Sequence, residues 1–193
     1  MSSIKLKGST SGDITISAPS VAGTNTLTLP ASTGTVALTS DISSFAHEIL
    51  HVREEQGATT YGGGASAAST VTRVLNTVVT NEITGASLGS NQFTLPAGTY
   101  FIDASAPANE VDRHRISLYN ATDTSTTLLG QSEDVDATLT QTQARLRGKF
   151  TITGSKAFEI RHFTESARSV YGLGNFTTDS NNAIYTEVIV QKV

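Results

Sequence analysis

Apolar side chains recur at every second position in run after run of this chain, and the runs are short. In RLRGKFTI (145–152), Leu146, Phe150 and Ile152 fall on one side, and Arg145, Arg147, Lys149 and Thr151 on the other. Period two sends alternate side chains to opposite faces of an extended strand, so such a run buries one face and wets the other. AFEIRHFT (157–164) repeats the pattern, and Thr153-Gly154-Ser155-Lys156 between the two runs reads as a short hairpin turn. Further strands are expected at 71–79, 91–95, 99–106, 114–120, 127–132 and 184–193. Eight strands with short, turn-rich connections predict an all-β antiparallel jelly roll or sandwich over 71–193.

Composition supports strands and limits the core. Ser and Thr make up about a quarter of the chain, and Thr fits a pleated sheet because its Cβ is branched. Apolar residues are 37% and charged residues 16%, so part of the apolar surface is expected to be buried between subunits. A net charge of −4 argues against a nucleic-acid partner. The absence of Cys excludes disulfides, thiolate metal sites and cysteine nucleophiles. Neither a signal peptide nor a run of about 18 apolar residues is present, so a soluble protein made in a cytoplasm and without a membrane partner is expected.

Residues 1–40 have a different texture. GDITISAP (12–19), TNTLTLP (24–30) and TGTVAL (33–38) alternate Ile14 and Ile16, Leu27 and Leu29, and Val36 and Leu38 with small polar residues. Three short strands with so few large side chains do not fold alone. Their apolar faces need copies of themselves or another surface, which makes these six residues the candidate attachment set. Residues 41–70 read as a junction. DISSFAHEILHVREEQ (41–56) is either a helix or a short helix followed by a strand over 48–54, and Gly62, Gly63 and Gly64 read as a flexible connection. NTLTLPAST (25–33) and NQFTLPAGT (91–99) echo one another, so one strand–turn–strand device is used twice.

The segment GSTSGDITISAPSVAGTNTLTLPASTGTVAL resembles Thr-rich segments of tail-fibre and other virion proteins of tailed phages. The stretch from VTRVLNTVV through FTLPAGTYFIDASAPANEVDRHRISLYN, with GKFTITGSKAFEIRH, resembles the C-terminal jelly-roll heads of phage structural proteins. Those heads are similar in architecture to the trimeric C1q and tumour-necrosis-factor fold. The resemblance implies a non-enzymatic homotrimer on the virion surface, built of an arm (1–40), a junction (41–70) and a jelly-roll head (71–193). The implied partner is the major capsid protein or a tail or baseplate protein. A stubby knob fits this length better than a shaft, because forty residues reach about 130 Å only when fully extended. The resemblance thus points to a capsid decoration (cement) protein or a short tail appendage, with a fibre tip that binds a host receptor or surface glycan as the alternative.

His47-Glu48-Ile49-Leu50-His51 matches HExxH, the helical pattern in which two His bind zinc and Glu polarises a water. A zinc hydrolase is the second alternative. It lacks long flanking helices and a third ligand, so no metal, cofactor or catalytic residue is expected. Asp112, Arg113, His114 and Arg115, with Arg145, Arg147, Lys149 and Arg161, form either a basic surface for an anionic partner or inter-subunit ion pairs with Glu110, Glu133, Asp134 and Asp136. The ion pairs are the favoured reading. Ser132–Asp136 lacks the spacing of a calcium loop, and Gly172-Leu173-Gly174 is too short to cradle a phosphate.

Overall fold

The computed structural model describes every residue except 1, 2, 18, 22, 25, 27–30, 32–47, 66, 137 and 139. The chain divides into two units, Met1–Ser43 and Ser44–Val193.

In the first unit, β1 (Ser3–Lys7) and β2 (Asp13–Ser17) form an antiparallel hairpin. Gly8 and Gly12 close its loop, the Gly8 N–H donating to the Gly12 carbonyl at 3.0 Å. Register pairs Ile4 with Ile16 and Leu6 with Ile14, so the four apolar residues share one face. Lys5, Lys7, Asp13 and Thr15 take the other. The expected strand over 12–19 is thus β2. Its partner β1 alternates Ile4 and Leu6 with Lys5 and Lys7, a signal of the same kind that the reading of the N-terminus passed over. Leu27, Leu29, Val36 and Leu38 lie outside the described residues.

The second unit is a two-sheet antiparallel jelly roll. Its strands are β3 (Ile49–Gln56), β4 (Ser69–Thr72), β5 (Thr77–Asn81), β6 (Ser87–Gly89), β7 (Gln92–Leu95), β8 (Gly98–Asn109), β9 (Asp112–Asn120), β10 (Ser125–Val135), β11 (Gln141–Ile152), β12 (Lys156–Thr164) and β13 (Ala183–Lys192). One sheet runs β11-β8-β13-β3-β5. The other runs β10-β9-β12-β7-β6, with β4 also paired to β12. No helix occurs among the described residues.

The core lies between the sheets. Leu50, Val52, Tyr100, Ile102, Leu146, Phe150, Val188 and Val190 face Phe93, Leu95, Ile116, Leu118, Phe158 and Ile160. Phe158 packs on Phe93 and on Phe150, with ring centroids 5.8 and 5.3 Å apart. Ala104, Ala106 and Ala144 are also buried in this core.

Two expectations change and one open choice is settled. The β11–β12 link is not a hairpin: β11 pairs β8 and β12 pairs β9, so Thr153–Ser155 carries the chain from one sheet to the other. The same holds for Pro96–Ala97 between β7 and β8. Alternation fixes which side of a strand is inward, but both sheets of a sandwich satisfy it, so pairing is invisible to it.

Of the two readings of 41–56, the one with a strand over 48–54 holds for that strand: residues 49–56 are strand and lie inside the five-stranded sheet between β13 and β5. Leu50, Val52 and Glu54 point inward at period two. The sandwich therefore begins before residue 71.

Gly62–Gly64 is not a free connection. The Gly62 N–H donates to the Gly174 carbonyl at 3.0 Å, and the Leu173 N–H to the Gly63 carbonyl at 3.0 Å. Ala65 and Arg168 exchange a pair of backbone bonds at 2.7 and 2.9 Å. A Cβ on Gly62 would stand 2.6 Å from the Leu173 oxygen. These glycines serve close backbone approach rather than flexibility.

Candidate binding surfaces and the buried polar centre

The hairpin presents an apolar face. Ile4, Leu6, Ile14 and Ile16 are 52 to 68% exposed, although register stacks them as cross-strand pairs. Of the expected attachment residues, the structure brings Ile14 and Ile16 together and adds Ile4 and Leu6 to them. A lone two-stranded hairpin is marginal in water, so such a face is stabilised by whatever covers it.

The outer face of the five-stranded sheet is mixed. Phe101 is 40% exposed on β8, and Ile189 on β13 is half-buried, next to Asp103 and across from His51. Ion pairs cross the same face: Arg147 to Asp103 at 2.9 Å and His51 to Glu187 at 2.9 Å. Where the edges of the two sheets meet, Leu129, Gly130, Gln131, Arg145 and Arg147 line a groove of about 290 Å³. Gly130 makes that meeting possible. A Cβ there would lie 2.6 Å from the Arg145 carbonyl oxygen and 2.8 Å from that of Ile116.

The expected basic cluster is not assembled. Arg145, Arg147 and Lys149 lie on β11, in one sheet. Asp112–Arg115 and Arg161 lie on β9 and β12, in the other. Their partners come from within the chain rather than from the acids expected for them. Arg113 pairs with Glu165 at 2.8 Å and Arg161 with Glu159 at 2.6 Å, while the Arg161 guanidinium sits over the Tyr119 ring. Glu110 takes Arg168 at 3.1 Å, and Asp112 accepts from the Ser166 hydroxyl. Arg161 and Glu159 are two residues apart on β12, whereas the contacts of Arg113, Glu110 and Asp112 join residues 52 to 58 apart, which the sequence order does not announce.

The HExxH residues part company. The pattern needs a helix, where i and i+4 share a face. Here His51 stands on β3 and bonds Glu187, and Glu48, just before β3, pairs with Lys192 at 3.1 Å. His47 lies outside the described residues. Among the described residues no group of three or more His, Asp or Glu is placed to hold a metal ion.

The chemistry that sequence reading missed is buried. Arg73 follows β4 and is fully enclosed. Its Nη2 donates to Glu54 at 3.0 Å and to the Leu173 carbonyl at 2.8 Å, and its Nε donates to the Thr186 hydroxyl at 2.7 Å. The Thr186 hydroxyl donates in turn to Glu54 at 3.0 Å. Glu54 and Thr186 belong to β3 and β13 of one sheet, whereas the Arg73 N–H bonds Ile160 of the other. The pair therefore ties the sheets together. Burial pulls the Arg73 pKa below its ordinary value, and the Glu54 carboxylate opposes that shift.

A second buried bridge runs from His162 on β12 to His114 on β9, with Nε2 and Nδ1 2.9 Å apart, and on from His114 Nε2 to the Thr142 hydroxyl on β11 at 2.8 Å. Desolvation, then the charge of Arg73, holds His114 down at about 4, while Asp134 pulls the other way. His162 is held well below its ordinary value by burial, Arg73 and His114. In the sequence, period two sets His162 on the side of Phe158 and Ile160 and Arg73 on the side of Val71 and Leu75, a signal left unused because both residues are polar, and His114 sits in a charged knot.

The two packed antiparallel sheets make the second unit a jelly roll. No protein-family model matches the chain, and no curated protein matches it. Among solved structures, it is similar to murine APRIL at pH 5.0, with a TM-score of 0.51 and 11% identity over 76% of this chain and 99% of that one. Murine APRIL at pH 8.0 gives 0.49 at 12% identity, with the same coverage. The globular domain of zebrafish complement 1qA gives 0.45 at 12%, over 76% of this chain and 97% of that one. At such identity the likeness to APRIL is one of fold.

Proposed function

We propose that this chain is a non-enzymatic structural protein of a tailed-phage particle, a homotrimer whose jelly-roll heads stand on the virion surface and whose N-terminal hairpin docks onto the particle. The role is that of a capsid decoration (cement) protein or a short tail appendage. The observation that carries the reading is the hairpin's apolar face: four large, exposed side chains paired across two strands. The phage-like phrases of residues 8–38 supply the kind of partner, a capsid or tail protein. The trimer accords with the jelly-roll type and with Phe101 and Ile189 on the outer sheet face, which a second copy would cover.

One experiment tests both parts. The full chain is measured by light scattering and then added to particles that lack it. A threefold mass and saturable co-sedimentation are expected, and Ile14→Asp with Ile16→Asp should abolish co-sedimentation while the mass stays threefold. A monomeric mass at micromolar concentration, or undiminished co-sedimentation of the variant, overturns the corresponding part. The groove at Arg145 and Arg147 supports a second reading, a head that recognises an acidic host glycan. A glycan array on which Arg145→Ala removes a bound acidic sugar would favour it.

A further inference from the structure

We propose that the His114–His162 pair, set beside Arg73 between the two sheets, is an acid-sensitive latch: neutral, it helps hold that end of the jelly roll shut, and taking up one more proton forces the end open.

The geometry dictates the consequence. Two neutral imidazoles carry two ring protons. One lies on the axis between His114 Nδ1 and His162 Nε2, 2.9 Å apart, and the other sits on an outer nitrogen. If the outer proton is on His114 Nε2, it is donated to Thr142 at 2.8 Å, and His162 Nδ1 keeps a lone pair. A third proton leaves no such choice. Whichever ring then carries the charge, both outer nitrogens are protonated. His162 Nδ1 becomes a donor, and it is a buried atom with no hydrogen-bond partner. The second such atom among the described residues is Nη1 of Arg73, itself a donor. Acidification therefore adds an unsatisfied N–H and a positive charge next to a buried guanidinium.

The surrounding elements offer little relief. β3 and β13 present Glu54 and Thr186, both already bonded to Arg73. β11 presents the Thr142 hydroxyl, and β4 places Val71 opposite His162 in register. β10 sets Glu133 opposite His114 and Asp134 opposite Arg113. Asp134 is the carboxylate whose charge favours protonated His114, but Arg73 outweighs it. Arg113 and Arg115 flank His114 on β9 and Arg161 precedes His162 on β12, and the carboxylates beside them, Glu165 and Glu159, are already paired to Arg113 and Arg161.

The sign follows from linkage. The neutral rings are favoured in the folded chain, so their contribution is complete above the unfolded histidine pKa of about 6.5 and is lost as pH falls toward the folded values. With both rings held neutral, the folding constant drops by up to about a hundredfold per pH unit over that window. Most side-chain carboxyls of an unfolded chain titrate lower, near 4, which separates the two causes.

The test is the melting temperature of the full chain from pH 7 to pH 4.5, compared with His114→Gln plus His162→Gln. A steep fall for the wild type and a flatter curve for the variant are expected. Parallel curves would assign the acid response to other groups and overturn the proposal. Should the variant not fold, ring-nitrogen NMR of the wild type decides. Both rings staying neutral at pH 5.5 supports the latch, and either ring titrating near 6.5 refutes it.

Discussion

In the hairpin, Ile4, Leu6, Ile14 and Ile16 share one face and stay in water; in β11, Ala144, Leu146 and Phe150 share one face and are buried. The local rule is the same in both, apolar at every second position. What differs is the neighbour. β11 is roofed by a second sheet, whose Phe158 edge meets Phe150, whereas the hairpin has only its own two strands. Period two specifies a face that asks to be covered, and it does not say by what. In the sandwich the chain supplies the cover. In the hairpin the cover is left to another surface, and the proposed attachment role rests there.

Substitutions can break this contrast. The largest effect is expected from Phe158→Ala, which empties the centre between the sheets. It should cost about 3–5 kcal/mol of sandwich stability, read from denaturant unfolding. A loss below about 1 kcal/mol would mean that the inter-sheet core is not what holds the head together.

Arg73→Met should come next. It leaves Glu54 buried without its cation and should cost about 3 kcal/mol, with Glu54→Gln in the same background recovering part of it. The double-mutant cycle measures that coupling. If each change costs the same alone as in combination, the pair is not a tie between sheets.

The smallest effect sharpens the comparison most. Ile14→Asp with Ile16→Asp should move the sandwich's unfolding by less than about 0.5 kcal/mol, because these side chains belong to the other unit. A large shift would show that the hairpin's apolar face is covered by the sandwich itself.

Much of the architecture is legible along the chain. Leu146, Phe150 and Ile152 against Arg145, Arg147 and Lys149 define β11 and its inward side without ambiguity, and β12 reads as readily. What stays hidden is anything decided by contact between distant strands. Thr153–Ser155 looks like a hairpin turn because its composition is that of one, although it bridges two sheets. Ile49–Gln56 looks partly helical because Ile49 and Leu50 are adjacent, and only the pairing with β13 settles it as strand. Arg73 and His162 fall at the inward positions of their runs, but a charged or titratable side chain there is read as core only once its partners, Glu54 and His114, arrive from elsewhere. The hairpin's apolar face is half legible: Ile14 and Ile16 declare themselves, and the register with β1 adds Ile4 and Leu6.

The place of β13 has a consequence for how the protein is made. It lies at the middle of the five-stranded sheet, bonded to β8 on one side and to β3 on the other, and β3 and β8 are not neighbours. During synthesis β3 with β5, and β8 with β11, leave the ribosome as separate ribbons, each with an apolar face and an open edge, and they wait for residues 183–192 to join them. Until then the nascent chain is a client for chaperones. A message broken before this strand yields a product with no closed sandwich, which proteases can clear.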